Sequence, residues 1–155
     1  MSIAALIAWV VTAAGGFVLL GKWIAHGGAR SPRTSSFPPA VIFGHFLLAA
    51  AGLVVWIVYL VTDRALLTWV ALALLVVVAL LGFTMFARWI PGYRARAASG
   101  VPAHAGATAS ERGGSADPSQ PAEQRLPVAV VAAHGLVAVA TVVLVLLAAL
   151  GIGGS

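Results

Sequence analysis

Apolar residues run almost unbroken through four stretches of the chain, residues 3–24, 39–61, 66–90 and 127–150, and none of the four contains Asp or Glu. Each is close to the span of about 20 residues that a helix needs to cross the hydrocarbon of a bilayer. Between them lie short polar segments and one long one. The pattern predicts four membrane-spanning helices and an all-α fold.

Composition narrows the class further. The 155 residues are 61% hydrophobic and 8% charged, where soluble domains run at roughly half apolar and a quarter charged. A water-soluble globule is excluded. The chain has no cysteine, which removes disulfides, thiolate metal sites, Cys-held iron–sulfur clusters and c-type haem attachment. Alanine- and glycine-rich usage with a single lysine points to a high-GC bacterial genome. The net charge of +5 marks topology and not a nucleic-acid partner, because the basic residues are sorted by loop.

That sorting predicts the orientation. Lys22, Arg30, Arg33, Arg88, Arg94, Arg96, Arg112 and Arg125 fall on one side of the four spans, and Arg64 stands alone on the other. The positive-inside rule then assigns both termini and the turn Thr62-Asp63-Arg64 to the outside, and residues 25–38 and 91–126 to the cytoplasm of a multi-pass inner-membrane protein. Trp23 and Trp89 sit at the inner interface and Trp69 near the outer one. The first span is not a cleavable signal peptide, since its leading segment is only the uncharged Met1-Ser2. The organisation expected is a first transmembrane hairpin over residues 1–62, a third helix with its inner end over 63–96, a flexible Ala/Gly/Ser/Pro-rich cytoplasmic linker over 97–126, and a fourth helix over 127–155. The linker lacks the apolar periodicity to bury anything.

The spans also repeat. Gly16-Phe17 and Trp23-Ile24 of the first match Gly82-Phe83 and Trp89-Ile90 of the third without a gap, and Lys22 falls on Arg88. Pro38 and His45 of the second match Pro127 and His134 of the fourth, with Leu47, Ala49 and Ala51 over Leu136, Ala138 and Ala140. Interface physics alone would explain a shared Trp-Ile, but not a histidine at equal depth. The duplicated unit is a helical hairpin, and two parallel copies imply a pseudo-two-fold axis along the membrane normal. The expected fold is a four-helix transmembrane bundle built from two duplicated hairpins, with the second and fourth spans facing each other.

Ionisable residues inside a membrane are costly and are functional candidates. His45 and His134 are the two well inside, each seven residues after its proline and so about 10 Å into its helix. Equal depth on symmetry-related helices suits ligation of one object on the axis. Haem iron takes two axial imidazoles. Gly44, Ala49 and Gly52 around the first histidine, and Gly135 and Ala138 around the second, offer room for the macrocycle, while Lys22 and Arg88 offer cations for its propionates. Zinc would need four ligands, with no Cys or carboxylate nearby. The structural alternative has both histidines bonding helix to helix. His26 is a reserve ligand at the interface, and His104 lies in the linker. Ala4, Ala8, Thr12 and Gly16 form a small-residue stripe for close helix packing, within the bundle or on a partner.

These residues resemble the small four-helix membrane b-type cytochromes, and the chain is similar to integral membrane proteins of high-GC bacteria. The first resemblance implies haem b held by His45 and His134, with electrons exchanged with a quinol or a partner subunit. It departs from the many such cytochromes that carry two haems on four histidines. The other reading is a non-catalytic accessory or assembly subunit of a larger membrane complex. Either fits a chain that lives in the lipid bilayer, with an oligomer open.

Overall fold

The computed structural model describes residues 1–30, 35, 37–98 and 121–152. Its elements are α1 (Ser2–Ala25), α2 (Pro39–Thr62), α3 (Ala65–Ala98), a short 3₁₀ turn (Ala122–Arg125) and α4 (Val128–Ala149). All four α-helices are long and apolar enough to cross a membrane, and the protein is a four-helix membrane bundle.

Local chemistry sets the helix ends. α2 and α4 open alike, with Pro38 and Pro127 as extended N-caps at ψ 127° and 121°, a conformation in which proline gives up no needed N–H. α1 ends where Gly27 turns left-handed at φ +80°. The N–H of Gly27 bonds the Ile24 carbonyl and that of Gly28 bonds the Trp23 carbonyl, at 2.9 and 3.0 Å. This paired closure satisfies two carbonyls that the helix would otherwise orphan, and it folds the chain back over Trp23.

The helices do not pack mainly within their own hairpins. α1 lies chiefly on α4 and α2 on α3, with smaller contacts between α3 and α4 and smaller ones still between α1 and α2. Each hairpin therefore clasps the other. The repeat is visible in the buried positions: Ala5 with Ala71, Trp9 with Leu75, Trp23 with Trp89, Gly52 with Thr141, and Trp56 with Val145 are equivalent pairs, and every member is buried. One core cluster, of Ala5, Trp9, Trp56, Ala71, Leu75 and Val145, fills the end of the bundle away from the basic residues. There the indoles of Trp9 and Trp56, 6.4 Å apart, occupy volume that the smaller Leu75 and Val145 leave. Many large apolar side chains on the outer faces are exposed, among them Ile7, Val11, Leu47, Leu80 and Phe83, as expected for helices bathed in lipid.

Two stretches differ from the sequence expectation. α3 continues past Ile90, through Pro91, to Ala98. Proline removes one helical N–H and crowds the preceding turn. The helix nevertheless holds across it, because Trp89 stacks on Phe86 at 6.0 Å and on Tyr93 at 5.1 Å, and Ala and Arg beyond are strong helix formers. The second difference is at the end of the segment read as linker. Ala122 and Glu123 are buried, and the 3₁₀ turn that carries them packs on α1 and α3. The flexible reading fails there because side-chain hydrogen bonds, and not apolar periodicity, hold the turn in place. The remainder of the linker, residues 99–120, lies outside the described residues.

Candidate functional site

His45 on α2 and His134 on α4 come together inside the bundle, with ring centroids 6.4 Å apart and planes inclined by 56°. Each ring leans on a helix of the other hairpin. His45 Nδ1 lies 3.0 Å from the Val78 carbonyl on α3, and His134 Nδ1 lies 2.9 Å from the Thr12 carbonyl on α1. Thr12 and Val78 are themselves equivalent in the repeat, spaced as Trp23 and Trp89 are. The two histidines thus make the same bond twice.

A carbonyl oxygen only accepts, so both Nδ1 atoms donate. In a neutral imidazole the other nitrogen then carries the lone pair. Both Nε2 atoms are acceptors, and two acceptors cannot bond each other. The orientation of metal-binding histidines is set in this way, by a carbonyl on the far nitrogen.

Glycines make room for the rings. A methyl group added at Gly16 would sit 3.2 Å from Cε1 of His134, and one at Gly82 would sit 3.2 Å from Cε1 of His45. Gly15 also lies under His134. These residues are on α1 and α3, one turn beyond the carbonyls that anchor the rings. The glycines named from sequence do something else. A methyl group at Gly44 or Gly135 would meet no atom within 4 Å, and one at Gly52 would lie 3.0 Å from Trp9. Gly52 therefore makes room for an indole of the core. Ala49 and Ala138 are half-buried one turn along from each histidine. The match of Gly16 with Gly82 in the repeat was the signal for the ring-facing glycines, but depth along one helix does not reveal which neighbour faces it.

Lys22 and Arg88 are exposed at the basic end, six residues beyond Gly16 and Gly82 and so about 9 Å further along their helices. His26 is exposed, its Nδ1 2.6 Å from the Lys22 carbonyl of its own helix. His104 lies outside the described residues. The small-residue stripe of α1 is used within the bundle, since Thr12 Oγ1 lies 3.2 Å from Thr141 Oγ1 of α4 and Gly16 faces His134. No cluster of three or more His, Cys, Asp or Glu occurs among the described residues.

The fold and site define a duplicated-hairpin membrane bundle with a central histidine pair. No family model, characterised protein or solved structure matches the chain.

Proposed function

We propose that the chain is a b-type haem protein of the membrane, an electron carrier or cytochrome subunit, in which His45 and His134 would hold the haem iron. One observation carries the reading: both rings donate from Nδ1 to carbonyls of the opposite hairpin, which leaves two Nε2 lone pairs for something they share. A bis-imidazole iron centre needs two such ligands and no third protein donor. Haem would supply one-electron chemistry. The carbonyls of Thr12 and Val78 hold the tautomer and orientation of the rings, Gly15, Gly16 and Gly82 admit the rings against α1 and α3, and the apolar core beyond Trp9 and Trp56 excludes water. Lys22 and Arg88, at matching positions on the basic end, are the cations for the propionates.

In this reading the basic end faces the cytoplasm and both termini face outward. A haem held by this pair would lie in the inner half of the bilayer, where a quinol or a partner subunit could exchange electrons with it. The absorption spectrum of protein purified in mild detergent tests this: a Soret band that shifts and sharpens on reduction is expected.

The second reading, an accessory or assembly subunit, is favoured by the same bonds seen as ties. Each histidine links its helix to the other hairpin, for about 0.6–2 kcal/mol. A colourless protein from cells well supplied with haem would leave this reading standing.

A further inference from the structure

The end of the bundle nearest the histidines is closed by residues that stand outside the membrane spans. Glu123 is 2% exposed and Ser35 7%, although both belong to polar segments. A carboxylate withdrawn from water that far must be bonded to be tolerated. Ser35 Oγ donates to Glu123 Oε2 at 2.8 Å. Ser35 Oγ in turn accepts from Trp23 Nε1 at 3.0 Å and from the Phe37 N–H at 3.1 Å, which uses the whole capacity of a hydroxyl. From the other hairpin, Trp89 Nε1 donates to the Glu123 carbonyl at 3.1 Å. Trp23 and Trp89 are equivalent in the repeat, so the 3₁₀ turn is gripped once by each half.

Both tryptophans stand seven residues beyond the ring-facing glycines Gly16 and Gly82, about 10 Å along their helices. The turn therefore lies across the basic end, one helical stretch from the rings. At the opposite end Trp9 and Trp56 fill the interior. At the basic end the turn packs on α1 and α3, the two helices whose carbonyls anchor the rings. The grip is local to the end of the bundle and rests on a few hydrogen bonds beside the buried Ala122, Trp23 and Trp89, and it lies apart from the core cluster, so it can open without unfolding the helices.

We infer that residues 121–126 are a releasable strap pinned by the buried Glu123: docked, it seals the histidine pair from the water-facing end, and withdrawn, it opens that pair to water and small solutes. This concerns regulation of the site proposed above and rests on the rings being that site, but its test needs no haem.

The intact chain in lipid nanodiscs, kept free of haem because an iron-bound imidazole has no lone pair to acylate, is treated with diethyl pyrocarbonate, which acylates neutral imidazoles, and with trypsin, which cuts after Arg125 when the strap is undocked. Mass spectrometry reads each histidine and the Arg125 cleavage separately. In the wild type, exposed His26 is expected to react fast and His45 and His134 slowly. Ser35→Ala, which keeps the fold with one bond set removed, and the more severe Glu123→Ala are both expected to raise Arg125 cleavage by roughly tenfold or more, since cleavage follows the open population. The rates at His45 and His134 are expected to rise in step, while Thr84→Ala, on an exposed face of α3, changes neither. Three results would each overturn the strap: His45 and His134 as reactive as His26 in the wild type, faster cleavage with unchanged histidine rates, or no change in either variant. A colourless protein would sink the haem reading and leave all of these measurements as they are.

Discussion

Trp56 on α2 and Val145 on α4 occupy the same place in the two halves of the repeat, and both are fully buried. The halves share a backbone plan but not a set of volumes. Trp56 packs at 6.4 Å from Trp9 and donates its Nε1 hydrogen to the Ser2 carbonyl at 3.3 Å. Where the first hairpin contributes two indoles, the second contributes Leu75 and Val145.

Truncation at this pair is therefore expected to be unequal. In lipid or detergent the loss is one of packing and cavity formation, since the surroundings are as apolar as the core. Trp56→Ala is expected to cost about 3–5 kcal/mol, and Val145→Ala about half as much. Unfolding of each variant in mild detergent, followed by loss of helicity, checks the order. Equal losses would mean that the indole is not what fills the core.

Glycines sort by what a methyl group would meet. At Gly28 it would run into the Trp23 ring, at Gly52 it would lie 3.0 Å from Trp9, and at Gly44 nothing lies within 4 Å. Gly28→Ala and Gly52→Ala are expected to lose about 1–3 kcal/mol through overpacking. Gly44→Ala is expected to be neutral or to gain up to about 1 kcal/mol from helix propensity. Melting temperatures of the three variants, measured side by side, decide it.

The hydroxyl pair of Thr12 and Thr141 is expected to matter little. Each hydroxyl is also 2.8 Å from a carbonyl of its own helix, that of Ala8 or Val137, and the repeat equivalent of Thr12 is Val78. Thr12→Val is expected to cost about 0.6 kcal/mol, and to leave the His134 bond intact, because that bond ends on the main-chain carbonyl. A large loss of stability, or an altered haem spectrum, would show that the hydroxyl positions the ring.

Orientation can be read with single cysteines, since the chain has none of its own. Thr62→Cys, in the exposed turn between α2 and α3, is expected to react with an impermeant maleimide added to intact cells. Ala98→Cys, at the basic end of α3, is expected to react only after the membrane is opened. The reverse pattern would invert the topology.

Much of this architecture is legible in the residues themselves. Apolar runs of bilayer length give the four helices to within a residue or two at most ends, and Pro38 and Pro127 mark the starts of α2 and α4. The matched histidines announce both the repeat and the approach of the two rings across the bundle, although α2 and α4 themselves lie diagonally and pack on α3 and α1. Three things are not legible, each because it depends on contacts across the bundle. The third apolar run ends at Ile90, and the stacking of Phe86, Trp89 and Tyr93 accompanies the helix on through Pro91. Glu123 reads as solvated linker, yet it is buried beside Ser35, which donates to its carboxylate, and Trp89, which donates to its carbonyl. Gly44 and Gly135 adjoin the histidines in sequence, but it is Gly16 and Gly82, on other helices, that face the rings.

His45 and His134 are proposed to hold one iron between them, and the absorption spectrum of four alanine variants tests it. Each ring would supply one axial bond through Nε2, so His45→Ala and His134→Ala are each expected to lose the six-coordinate, low-spin spectrum, and to lose it in the same way. His26→Ala and His104→Ala are expected to keep it. A low-spin spectrum that survives His134→Ala, or one abolished by His26→Ala alone, would contradict the assignment of the pair.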